Sequence, residues 1–229
     1  MADVYKCLGQ AAPASLTDTD VYTVPASTAA IVSAITIANR GATDDYVYVY
    51  HRLAGAATAT KQALCIARRV PANGQISLVC GLCMAATDVI TVDAGTANLS
   101  VSVYGVEQNP VPTMVPKNLG QLKPSGGGGA NDLYTVPGGK SAIIAALSIA
   151  NASTNLAAVR FWHRVGGGST ANQDYLLYDM PMSANPQTAP APEDSNLLLV
   201  LGITAAAADV IRVSSSVADV CFNIWGVEL

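Results

Sequence analysis

The sequence predicts an all-β chain of two tandem homologous β-sandwiches, jelly-roll or Ig-like, with seven to eight strands each. Three observations carry this. First, the chain repeats itself. Tyr22-Thr-Val-Pro25 returns as Tyr134-Thr-Val-Pro137, Ile37-Ala-Asn39 as Ile149-Ala-Asn151 and His51-Arg52 as His163-Arg164, all at an offset of 112 residues. Windows 21–55 and 133–167 share 14 identities in 35 positions without a gap. Second, each copy is built from short runs rich in Val, Ile, Thr and Tyr, punctuated by Gly, Pro, Asn, Asp and Ser. Third, no capped segment shows a 3.6-residue period, and the Ala-rich stretches at 84–86 and 205–208 are too short for more than one helical turn.

In chain order, residues 1–108 form the first repeat, and its strand-like runs are Ala30–Ala38, Tyr46–His51, Ile76–Cys80, Val89–Val92 and Leu99–Tyr104. Residues 109–116 are Pro-rich and predict a stiff, extended linker. The second repeat, 117–229, opens on Leu119-Gly-Gln121, which answers Leu8-Gly-Gln10. Four consecutive glycines, 126–129, lack the preceding strand, following helix and Lys-Ser/Thr pair of a phosphate cradle, and read as a flexible loop. Gly81, Asp88-Val-Ile90 and Gly105-Val-Glu107 recur as Gly202, Asp209-Val-Ile211 and Gly226-Val-Glu228 at an offset of 121, so the second copy has gained nine residues. The gain falls near 187–196 and predicts a longer, solvent-facing loop suited to a specific contact.

Aligning the copies assigns strand faces, because side chains alternate across a strand. Val47, Val49 and His51 match Val159, Phe161 and His163 on one face; Tyr46, Tyr48 and Tyr50 match Ala158, Arg160 and Trp162 on the other. The face that accepts Arg160 is the outer one. In the last strand Leu99, Val101, Val103 and Val220, Phe222, Ile224 face inward, while Tyr104 and Trp225 face outward. Tyr46, Tyr48, Tyr50, Tyr104, Trp162 and Trp225 are therefore the candidate interface, since such rings are enriched where proteins meet. The competing expectation is that they pack under loops of their own domain.

Charged residues make up 12% of the chain against 51% hydrophobic, about half the usual ~25% charge. With mean hydropathy +0.34, the chain predicts extensive burial against neighbouring subunits. Net charge is −4 and no basic patch exists, which argues against nucleic acid. No run approaches the roughly 20 apolar residues of a membrane helix, and the start lacks a secretory pattern, so synthesis in the cytoplasm is expected.

Candidate chemistry is sparse. His51-Arg52 and His163-Arg164 suit a proton-transfer or anion site, but duplicated halves without other polar partners favour a structural pair, with the histidine at the core edge and the arginine bound to an acid. Cys80-Gly-Leu-Cys83 has CxxC spacing, yet Cys7, Cys65 and Cys221 are scattered and the second copy carries Leu201 and Thr204 there. Reduced core thiols are expected, with no metal, cofactor or catalytic residue.

The order Leu-Gly-Gln, Tyr-Thr-Val-Pro, Ile-Ala-Asn, Asp-Val-Ile and a closing Gly-Val-Glu resembles small β-sandwich structural proteins of tailed bacteriophages, across nearly the whole chain. The resemblance implies a non-enzymatic virion subunit: a capsid cement or decoration protein, or a tail, neck or baseplate accessory. Its implied partners are copies of itself and other virion proteins. The alternative is a glycan- or receptor-binding module of a tail fibre, stacking sugars on Trp162 or Trp225.

Overall fold

A computed structural model describes residues 4–109, 115–169, 171–186 and 189–229. Eight strands build the first repeat: β1 (Val4–Ala11), β2 (Thr19–Thr23), β3 (Ala29–Asn39), β4 (Asp45–Arg52), β5 (Ala63–Val70), β6 (Gln75–Met84), β7 (Val89–Ala94) and β8 (Leu99–Gln108). Eight more build the second: β9 (Val115–Leu122), β10 (Asn131–Thr135), β11 (Ala142–Asn151), β12 (Ala157–Arg164), β13 (Tyr175–Met182), β14 (Asn196–Ala205), β15 (Val210–Ser215) and β16 (Val220–Glu228). All five runs expected in the first copy are strands.

The first repeat has sheets ordered β1-β8-β3-β6 and β2-β7-β4-β5; the second has β14-β11-β16-β9 and β10-β15-β12-β13. Within the first, strand 1 pairs with 8, 2 with 7, 3 with 6 and 4 with 5, all antiparallel. This nesting is a long hairpin rolled onto itself, which decides for the jelly roll over the Ig-like order. Pro116 and Pro181, which cannot donate to a ladder, lie in the edge strands β9 and β13. Pairing of Val115 with Glu228 starts the second sandwich two residues before the repeat boundary at 117. The remainder of the proposed linker, 110–114, lies outside the described residues.

Alternation sets the cores. Strand β4 reads buried and half-buried by turns, with Val47, Val49 and His51 at 0% exposure. Leu99, Val101, Val103 and Val220, Phe222, Ile224 point into their own sandwiches, as the paired alignment requires. Each such aliphatic or aromatic side chain stabilises by roughly 1.5–3 kcal/mol.

The repeated motifs are the points where the two sheets of each sandwich are tied. Tyr22 donates its hydroxyl to Glu107 at 3.0 Å and Tyr134 to Glu228 at 2.8 Å, joining opposite sheets. Lys6 and Lys117 close on the same glutamates at 2.7 Å. The Val24 amide bonds the Asp88 carbonyl and the Val136 amide the Asp209 carbonyl. Asn39 and Asn151 each donate to two carbonyls across a turn and accept an amide two residues on. Gly105 and Gly226 sit where neighbouring backbone leaves no room: a Cβ would meet Ile31 O at 2.2 Å or Ile143 O at 2.0 Å. Gly105→Ala is therefore expected to cost about 1–3 kcal/mol or more in urea unfolding. Gly138→Ala, where nothing lies within 4 Å, is the near-neutral comparison. Equal stabilities would refute the steric account.

Candidate docking interface

The outer face of the sheet β14-β11-β16-β9 is covered along β11 and β16, while Val200 of β14 stays 79% exposed. It lies on the β5–β6 side of the first sandwich, and the two domains are joined by donors that reach main-chain carbonyls. Gln121 Nε2 donates to His51 O at 2.8 Å, Ser148 Oγ to Leu64 O at 2.6 Å, Asn223 Nδ2 to Ala63 O at 2.8 Å and Trp225 Nε1 to Cys80 O at 3.0 Å. Ser148 is 1% exposed, and Cys221, Asn223 and Trp225 are 0% exposed. Edge carbonyls left without a sheet partner would each cost about 1–3 kcal/mol if buried bare, so these donors make the contact tolerable as well as specific.

Apolar packing surrounds the donors. Ala63, Ile66 and Ala67 of β5 meet Ala150, Ala152, Ala191 and Cys221 of the second domain, with Tyr46, Tyr48 and Tyr50 against the same cluster. The tyrosine rows are ordered: Tyr48 and Tyr50 stack at 6.3 Å, and Tyr46 meets Tyr48 edge-on at 5.9 Å. Burial pushes the Tyr48 phenol up to about 12.

The described part of the nine-residue gain completes the contact as a clasp. Ala191 pairs in parallel with Arg68 and donates its amide to Ala67 O at 2.8 Å, and Arg68 Nη1 donates to Glu193 O at 3.0 Å. Asn185 and Asn196 both donate to Ile66 O, and Asn196 accepts from Ile66 N. Ala191 is 2% and Ser195 0% exposed, whereas Pro192, Glu193 and Asp194 face solvent as expected, so the loop docks along one side only. Residues 187 and 188 lie outside the described residues.

The six candidate rings thus separate. Tyr46, Tyr48 and Tyr50 line the boundary between domains. Trp225 faces away from its own sandwich, as aligned, but inserts into the core cluster of the other one. Trp162 is 3% exposed beneath Tyr175, 5.1 Å away, which itself meets Tyr178 at 4.8 Å. Only Tyr104, at 41%, is open to a partner. Neither tryptophan is placed to stack on a sugar. Two exposed rings fall outside the candidate set: Tyr5, at 81%, and Tyr178, at 62%, under the Arg160 guanidinium at 4.5 Å.

The remaining chemical candidates resolve into supports. His51 Nε2 lies 3.0 Å from Asp88 Oδ2, and His163 Nε2 lies 3.0 Å from Asp209 Oδ2. Asp88 also accepts the Ala54 and Ala85 amides, and Asp209 those of Gly166 and Ala206. Burial opposes ionisation of both carboxyls, but these hydrogen bonds outweigh it and hold them below the usual carboxylate range. Arg52 pairs with Asp20 at 2.7 Å, as expected of an arginine bound to an acid, but Arg164 instead donates to Gly167 O at 2.6 Å, which corrects the expectation for the second copy. The sequence did not join histidine to aspartate, although both recur with the same constancy. Burial pushes the Cys65, Cys83 and Cys221 thiols up to about 12 and Cys80 to about 11, which leaves them poor nucleophiles and poor ligands. Among the described residues no three His, Cys, Asp or Glu side chains gather as a metal site. In the glycine loop, the Gly127 and Gly128 amides bond Ser216 O and Ser215 O rather than facing an anion.

No protein-family model and no curated protein matches the sequence. Among solved structures the chain is similar to the STIV MCP, with 10% identity over 99% of this chain and 96% of that one, at a TM-score of 0.40. It is similar to the major capsid protein of bacteriophage PM2, with 14% identity over 99% and 98%, at 0.42. The structure of Broad Bean Stain Virus matches at 10% identity over 100% and 88%, at 0.38.

Proposed function

We propose that this chain is a non-enzymatic structural subunit of a virion, docking on or cementing a larger symmetric particle through its sandwich surfaces. The observation that carries the reading is a pair of complete jelly rolls fused by face-to-edge docking, in an architecture that viral capsid domains use. Low charge supports it, because a surface with 12% charged residues gains by being covered. The repeated tyrosine, asparagine, aspartate and glutamate residues support it too, since they are occupied in tying sheets or turns together.

The test is mass spectrometry of density-gradient-purified particles from the lysate in which the chain is made. Stoichiometric copies in the particle band are expected. Recovery only in the soluble fraction overturns the reading. Binding on a glycan array that disappears in Tyr178→Ala would instead favour the receptor-binding alternative.

A further inference from the structure

The interface inside the chain has two sides, and each side exists a second time without a partner. On the first domain, the outer face of β1-β8-β3-β6 corresponds position by position to the buried face of the second. Gln10 stands where Gln121 does, Thr36 where Ser148 does, Ser102 where Asn223 does and Tyr104 where Trp225 does. All four carry a side-chain donor, as their counterparts do. In the second domain Ser148, Asn223 and Trp225 are buried; in the first Thr36 and Ser102 are half-buried, and Tyr104 and Gln10 are exposed. Without a partner these donors turn to side chains of their own sheet, Gln10 Nε2 donating to Ser102 Oγ at 3.1 Å and Thr36 Oγ1 bonding Ser77 Oγ at 3.0 Å.

The other side is also repeated. Leu64 and Ile66 of β5, 8% and 3% exposed under the second domain, correspond to Leu176 and Tyr178 of β13, which are 48% and 62% exposed. The backbone matches as well: Ala67 and its counterpart Asp179 both adopt positive φ, 47° and 46°, so both edges carry the same bulge. The edge strand β13 thus presents the carbonyl row that β5 presents to the second domain.

We infer that a second copy of this chain occupies these surfaces, its β13 edge seated on the outer face of β1-β8-β3-β6 in the manner of the contact within the chain. This rests on the assembly reading above and names its partner and contact. The contact is heterologous, face to edge, so it leaves a free face at one end and a free edge at the other; it closes into a ring where the rotation permits and otherwise continues. It is weaker than the contact within the chain for two reasons on the same strands. The turn at 71–74 is too short to supply the clasp that residues 189–195 supply. Arg160 and Asp179 replace Tyr48 and Ala67 beside the edge, placing an ion pair at 2.6 Å where the internal contact is apolar.

Two variants test it by light scattering after size exclusion, with circular dichroism confirming that each folds. Thr36→Arg blocks the face and Leu176→Arg blocks the edge; both positions reach solvent. Each is expected to weaken self-association roughly 30-fold or more, as loss of a central contact does. Mixed in equal amounts, the two are expected to form a one-to-one dimer through the intact edge of the first and the intact face of the second. A wild-type chain that stays monomeric at high concentration overturns the inference, as does a mixture that forms no dimer. A monomer still found in particles would overturn the self-docking and leave the virion reading standing.

Discussion

Truncating Trp225 to alanine is expected to cost about 3–5 kcal/mol and to separate the unfolding of the two sandwiches. The indole is 0% exposed, packs within the first domain's core cluster and donates to Cys80 O at 3.0 Å. Its removal opens a cavity and leaves a buried carbonyl without its donor, and both penalties fall on the joint between domains. The wild-type chain should unfold in urea as one transition, because the joint couples two cores of similar construction. In Trp225→Ala the one remaining tryptophan, Trp162, reports the second sandwich alone, while far-ultraviolet circular dichroism reports both. The two probes should diverge, which is the signature of lost two-state behaviour. The matched control is Tyr104→Ala at the equivalent, open position. Measured at dilution where chains do not associate, it should change stability by less than about 1 kcal/mol. Coincident probes in Trp225→Ala would mean that the joint contributes little to cohesion.

That contrast also shows where the sequence stops being readable. Alternation is local, so the inward set Leu99, Val101, Val103 and its counterpart could be read from a repeat alignment, and so could the outward direction of Trp225. What an outward side chain meets is not local. Trp225 and Tyr104 occupy equivalent positions with the same orientation, yet one is enclosed and the other open, because only the second domain's sheet found a neighbour in the same chain. The acceptors there are main-chain carbonyls of His51, Ala63, Leu64 and Cys80, which carry no residue signature at all. Trp162 illustrates the same limit within one domain. Its face was assigned by Arg160 beside it, but the cover comes from Tyr175 on another strand.

The jelly-roll order was undetermined for a related reason. Strand count follows from pattern, whereas pairing 1 with 8 and 2 with 7 joins segments most of a domain apart. The nine-residue gain was legible as the place where the copies differ, and hence as a candidate contact. Its direction was not, since Pro190-Ala-Pro-Glu-Asp194 is polar enough for solvent yet docks through Ala191 and its backbone. The His-Asp supports were within reach. Two residues that recur together in both copies, one at the end of a strand and one opening another, are candidates for contact, and the structure joins them twice.

Those supports give the second large effect. Asp88→Ala is expected to destabilise by about 3–5 kcal/mol, because it strips a buried histidine and the Ala54 and Ala85 amides of their shared acceptor. Asp209→Ala should cost less, since His163 keeps 18% of its side chain in solvent where His51 keeps none. The pH dependence has a definite sign. The folded-state pKa of Asp88 lies below its unfolded value, so its contribution is fully present above about pH 4 and is lost as the pH falls through the folded value. Unfolding free energy of the wild type should therefore decline below about pH 4. In Asp88→Asn, which keeps an acceptor but cannot ionise, the whole curve should lie lower and its acid limb should be shallower by up to one proton's worth of slope. Asp209→Asn should flatten the limb in the same sense. An acid limb of unchanged slope in both variants would show that the carboxylates form their hydrogen bonds without being held ionised by them.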